Sequence, residues 1–185
     1  MNTANKLTLL RVVLVPVFMA LLMIESAACK WAALGVFALA SVTDALDGHI
    51  ARSRNQITTF GKFVDPLADK ILTTAAFLVF LGMGVYRPVS GTIALMVIMT
   101  REFMVAGVRL VAVGEGTVIA ASMWGKLKTV MQMIAIIITI ILIAMFPDRA
   151  VAKLVIEILL WVTVGFTVIS GVDYLAKNWK LMQFK

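Results

Sequence analysis

The chain has 185 residues, of which 62% are hydrophobic and only 15% charged, and its mean hydropathy is +1.01. This excludes an ordinary soluble domain, in which about half the residues are apolar and about a quarter charged, and places the chain in a bilayer. The net charge of +7 comes without the basic run or aromatic ladder of a nucleic-acid surface, so the expected partner is a membrane surface and not nucleic acid.

The apolar residues form six stretches bounded by charge, Pro or Gly. They do not form one short N-terminal block, so no cleavable leader is expected, and they lack the alternation of a β-barrel. The first stretch covers 8–28. Asn5 and Thr8 stand at its start as residue types that cap helices, and Arg11 has a stem long enough to snorkel to the surface. The second, 31–52, finishes on Asp44, Asp47 and Arg52, and the third, 64–85, opens on Asp65, Asp69 and Lys70. The fourth, 88–110, carries Arg101, Glu102 and Arg109 and is followed by the turn signal Gly114-Glu115-Gly116. The fifth, 123–146, opens with Lys126 and Lys128 and stops at Pro147-Asp148; the sixth covers 151–175. The expectation is an all-α, polytopic membrane protein with six transmembrane helices, forming one domain over 1–185.

Six spans put both termini on one side. That side takes thirteen of the seventeen basic residues, leaving only Lys30, Arg87, Arg149 and Lys153 on the other. Lys and Arg accumulate on cytoplasmic flanks, so both termini are expected in the cytoplasm. The interior charges share that same end, while the outer halves of the helices are almost uncharged. Ionisable groups inside a span cost a few kcal/mol each unless they pair or face a wet cavity. The economical arrangement is one polar chamber open to the cytoplasm, closed on the outer side by an apolar plug. A cation transporter is the reading from another functional class, but it would place charge or broken helices near the midplane.

Four of the ten acidic residues lie in DALDGHIARSRNQITTFGKFVDPLAD. Asp44 and Asp47 are spaced i,i+3 and Asp65 and Asp69 i,i+4, so each pair shares a face of its own helix. Gathered carboxylates raise one another's pKa unless cations are present. All-oxygen ligands suit Mg2+ or Mn2+, and two such ions suit cleavage of a phosphoanhydride. The single Cys29 rules out an intrachain disulfide, and no Cys/His cluster has zinc spacing. Gly48 and Ala51, on the same general face as Asp44 and Asp47, are small enough to let a nucleotide approach the helix; helix packing would use them equally well. His49 faces elsewhere and is expected to pack, not to ligate.

Asp44, Asp47, Gly48, Ala51, Arg52, Gly61, Asp65 and Asp69 match D-x2-D-G-x2-A-R-x8-G-x3-D-x3-D at every fixed position. In this the chain resembles the CDP-alcohol phosphatidyltransferase family. The resemblance implies that Asp44, Asp47, Asp65 and Asp69 surround two metal ions holding the pyrophosphate of a CDP-lipid, with Asp69 also the catalytic general base. It implies nucleotide or CDP-lipid contacts from Gly48, Ala51, Arg52 and Gly61, and from Asn5, Thr8 and Arg11, of which the first two could equally be plain caps and the last a snorkelling side chain.

NKLTLLR, TREFMVAGVRL and MWGKLKTVMQM are further similar to bacterial family members that use sn-glycerol 3-phosphate as acceptor. The implied reaction moves the phosphatidyl group of CDP-diacylglycerol to that alcohol. Arg101, Arg109, Lys126 and Lys128 would seat the acceptor phosphate, although basic residues at a cytoplasmic boundary also follow the positive-inside bias or bind anionic lipid. Glu102 is expected to be a charge partner for a nearby base. Inositol phosphate, serine or phosphatidylglycerol would fit the same aspartates as alternative acceptors. The resemblance also implies a homodimer in a bacterial inner membrane with its active site facing the cytoplasm.

Overall fold

A computed structural model describes the backbone of residues 3–53, 59–114, 119 and 122–179, with side chains over 9–43, 70–112, 119 and 122–179. Among the described residues the chain forms six α-helices and no strand: α1 (Thr3–Met23), α2 (Ala27–Ser53), α3 (Thr59–Gly82), α4 (Pro88–Gly114), α5 (Met123–Met145) and α6 (Ala150–Asn178). By length and composition α5 and α6 are apolar enough to cross a membrane; the apolar segments Leu9–Met23, Ala27–Thr43 and Lys70–Gly82 are shorter. Large apolar side chains such as Val89, Met96, Phe103, Leu110, Leu154 and Val172 are exposed along the helices, the surface of a membrane protein rather than a soluble one.

The helix ends follow local chemistry more closely than the hydropathy does. The first turn falls at Ile24-Glu25-Ser26, earlier than the apolar stretch implies, because the Glu25 carboxylate interrupts it. Ser26 N–H donates to Ile24 O (2.8 Å), and Lys30 N–H, already within α2, donates to Ser26 O (3.1 Å). α3 stops at Gly82, three residues short of expectation. Gly84 adopts φ +70°, while Gly84 N–H reaches Leu81 O (3.1 Å) and Val85 N–H reaches Phe80 O (2.9 Å). This is a Schellman cap, which needs a residue tolerant of the left-handed region. α4 opens on Pro88, whose fixed φ and missing N–H suit a first helical position. Ser122 caps α5 by accepting from Gly125 N–H (3.1 Å).

α1 packs chiefly against α2 and α3, α2 reaches α5, and α6 packs on both α4 and α5. The buried face of α1 reads Arg11, Val15, Phe18, Leu22 and that of α2 reads Ala33, Phe37, Ala40, each at alternating three- and four-residue spacing. Phe18 and Phe37 meet with ring centroids 5.6 Å apart. Phe77, Phe80, Ile136, Ile140 and Leu160 complete the apolar core. Arg11 corrects the sequence reading. It does not snorkel but is 0% exposed, held on the face of α1 that meets the two aspartate-bearing helices.

Gly91 is where the α3–α4 turn closes on α4. A Cβ there would lie 2.7 Å from Leu81 Cδ1 and 2.9 Å from Tyr86 Cβ, and the Tyr86 ring is already fixed edge-on to Phe80 at 5.7 Å. Gly91→Ala is expected to cost about 1–3 kcal/mol through overpacking, seen as a lower unfolding midpoint in detergent. Gly35→Ala, whose Cβ meets nothing within 4 Å, should not lower it.

Candidate functional site

The buried positions of α4 include Gly91, Ala94, Leu95, Ile98, Arg101, Val105 and Ala112, so helical spacing commits Arg101 to a packed face, the one that meets α6. Burying a guanidinium requires partners, and they come from two helices. Arg101 Nη2 donates to Ser170 Oγ on α6, and Nη1 donates to Glu102 Oε1 at 3.3 Å. Close approach is possible because α6 presents a glycine: a Cβ on Gly171 would stand 3.1 Å from Arg101 Cγ.

Glu102 is shared. Buried Lys128 of α5 pairs with its Oε1, and Lys70 of α3 stands 3.7 Å from Oε2 while donating to the Glu102 main-chain carbonyl at 3.5 Å. One carboxylate thus ties α3, α4 and α5 together, in keeping with the charge-partner role expected for it. Arg109, further along α4, lies over the ring of Tyr174 of α6, 5.7 Å from its centroid.

These groups surround a cavity of about 200 Å³, lined by Lys70, Arg101, Glu102, Arg109, Lys126, Lys128, Gln132 and Tyr174 among others. Among the described residues, five cationic side chains face it against one carboxylate. Such an excess in a poorly solvated site favours a ligand of high negative charge density. A larger hollow, about 460 Å³, opens at the opposite end between the turns, but its Glu25 and Asp148 balance Lys30 and Lys153. It offers no net attraction to an anion.

The structure therefore brings Arg101, Arg109, Lys126 and Lys128 together, although their sequence positions span two helices and the segment between them. Asp44, Asp47, Gly48, Ala51 and Arg52 fall on the last turns of α2, Gly61, Asp65 and Asp69 on the first turns of α3, and Asn5 and Thr8 on α1. The side chains of these ten lie outside the described residues. α2 and α3 pack against each other, and positions 44, 47 and 51 continue the spacing of Ala33, Phe37 and Ala40. Asp69 immediately precedes Lys70, which lines the cationic cavity, so the two candidate regions adjoin along α3. Among the described residues no group of three or more His, Cys, Asp or Glu is placed to hold a metal.

The sequence reading missed three contributors: Lys70, Ser170 and Tyr174. Lys70 was legible only as one more charge at the start of the third stretch. Ser170 and Tyr174 did leave a signal, because Thr163, Thr167, Ser170 and Tyr174 repeat at 4-3-4 spacing in an otherwise apolar helix, and all four are buried.

Residues 1–169 match the sequence profile of CDP-alcohol phosphatidyltransferases. The chain belongs to the CDP-alcohol phosphatidyltransferase family. Its curated relatives include a CDP-diacylglycerol–glycerol-3-phosphate 3-phosphatidyltransferase of Bacillus subtilis (strain 168), 40% identical over 197 aligned residues that cover 98% of this chain and 97% of the relative. A protein of the same name from Rickettsia typhi is 35% identical over 173 residues, covering 94% of each chain. One from Haemophilus influenzae is 36% identical over 132 residues, covering 70% of each. As a phosphatidyltransferase, the chain sets its cationic cavity beside the helix that carries the last two signature aspartates.

Glu102→Gln is expected to remove a counter-charge that buried Lys128 and Arg101 share. Removing one partner of a buried pair costs about 3–5 kcal/mol, so the unfolding midpoint in detergent should fall well below that of the parent. Added sulfate, an anion for the same cavity, should restore part of the loss.

Proposed function

We propose that this chain transfers the phosphatidyl group of CDP-diacylglycerol to sn-glycerol 3-phosphate, releasing CMP and phosphatidylglycerophosphate. The observation that carries the choice of acceptor is the cavity in which Lys70, Arg101, Arg109, Lys126 and Lys128 converge. A phosphorylated alcohol brings the negative charge this excess calls for, whereas serine or another acceptor without a phosphate group does not. Near-complete coverage by relatives named for glycerol-3-phosphate phosphatidyl transfer supports the same choice.

In this reading 1–185 works as one membrane domain of six spans, with both termini and the cavity at the cytoplasmic side of a bacterial inner membrane, and it acts as a homodimer. Asn5, Thr8, Gly48, Ala51, Arg52 and Gly61 receive the CDP-lipid. The all-oxygen donor set of Asp44, Asp47, Asp65 and Asp69 fits Mg2+ or Mn2+. Two bound ions would supply positive charge toward the pyrophosphate and the departing CMP.

The chain's own groups do the rest. The cationic cavity holds the acceptor by its phosphate, and with Lys70 next to Asp69 in sequence, the free hydroxyl end is directed along α3 toward the base. Asp69 takes the proton of the attacking hydroxyl. The acceptor oxygen bonds to the phosphorus that bears diacylglycerol, and the bond from that phosphorus to the CMP oxygen breaks. Holding the phosphate away from the reacting atoms makes attack effectively intramolecular.

Purified protein given CDP-diacylglycerol and Mg2+ should release CMP on addition of glycerol 3-phosphate but not of inositol phosphate; the opposite preference would overturn the acceptor assignment. Asp69→Asn should reduce turnover at least about a hundred-fold, the lower range for a lost general base, while retaining CDP-lipid binding, whereas Asp44→Asn should weaken binding too. Full turnover in Asp69→Asn would remove the base assignment.

A further inference from the structure

The basic residues of the cavity are accounted for by the acceptor's phosphate, but Tyr174, on its wall, is not. Tyr174 is 2% exposed and lines the cavity, and its Oη has no hydrogen-bond partner among the described residues. Its companions on the buried polar stripe of α6 each have a partner. Thr163 Oγ1 donates to Leu159 O and Thr167 Oγ1 to Thr163 O, both at 2.8 Å, and Ser170 accepts from Arg101. Of the four, Tyr174 alone lacks a hydrogen-bond partner among the described residues.

If Tyr174 served only to pack, phenylalanine would fill the same volume, carry Arg109 on its ring equally well, and avoid burying a hydroxyl without a partner. Buried tyrosine hydroxyls ordinarily find a partner. Arg101 Nε, on the neighbouring wall, is likewise buried without one. Both buried donors therefore border the space where an anion is expected.

We infer that Tyr174 is an acceptor-binding residue: its hydroxyl donates to an oxygen of the phosphorylated alcohol, while its ring seats the Arg109 guanidinium that faces the same ligand. The inference rests on the reading of the cavity as the acceptor site. It assigns α6 a part in recognition beyond packing.

The test is the kinetics of Tyr174→Phe, which keeps the ring and removes only the hydroxyl. A hydrogen bond to a charged group sets the scale: KM for glycerol 3-phosphate should rise about ten-fold or more, with kcat and KM for CDP-diacylglycerol within about two-fold of the parent. The rise in unfolding midpoint that glycerol 3-phosphate confers on the parent should shrink in step. An unchanged acceptor KM would overturn the inference. Tyr174→Leu, which also removes the seat of Arg109, should raise KM further. Adding Arg109→Gln should then cost less in the Leu background than in the Phe background; equal costs would overturn the role given to the ring. Arg101→Gln separates the two levels of the argument. If it leaves the acceptor KM unchanged, the cavity is not the acceptor site and both readings fall. If it raises KM while Tyr174→Phe does not, only the inference about Tyr174 falls.

Discussion

Among the described residues, the polar half of this bundle is tied together by one carboxylate. Arg101 and Lys128 are buried in a helical assembly whose outer surface is apolar, where an uncompensated charge costs far more than in water. Glu102 meets both, and Lys70 as well. Because its three partners come from three helices, the ion pairs also fix how α3, α4 and α5 approach one another. Ser170 adds α6 through Arg101. The bundle can therefore hold a cation-rich hollow open without collapsing.

The other half is built on different physics. Val15, Phe18, Leu22, Phe37, Phe80, Ile140 and Leu160 form a continuous apolar core, and the turn between α3 and α4 is closed by the Schellman cap at Gly84 and by Tyr86 against Phe80. No net charge gathers at the hollow beyond it. The two halves are complementary: the apolar one supplies packing rigid enough that side chains on four helices keep their spacing around the cavity. Arg11, buried on the same face of α1 as Val15 and Phe18, stands where one regime gives way to the other.

The arrangement also explains why a single α-helix, α3, matters to both candidate regions. Its first turns carry Asp65 and Asp69 and its next residue, Lys70, faces the cationic cavity. Acid and base side by side on one helix bring an anion-holding region and an acid-rich region to the same depth. A phosphorylated alcohol has its charge at one end and its reacting hydroxyl at the other, and this juxtaposition matches that polarity.

Sequence by itself determined the helical class, the break at Pro147-Asp148, the aspartate signature with its family, and the charge carried within the apolar stretches. These are local or compositional properties: apolar length, Gly and Pro at breaks, the fixed spacing of acids along a helix. It also singled out Arg101, Arg109, Lys126 and Lys128, because charge within an apolar stretch is conspicuous wherever it lies. Tertiary structure alone decided that these four share one cavity with Lys70 and Tyr174, that Glu102 serves three cations at once, and that Arg11 is buried instead of reaching the surface. Helical periodicity says which residues share a face, but not which face meets which neighbour. That choice is made by packing between helices distant in sequence, and it is there that each buried charge finds its partner.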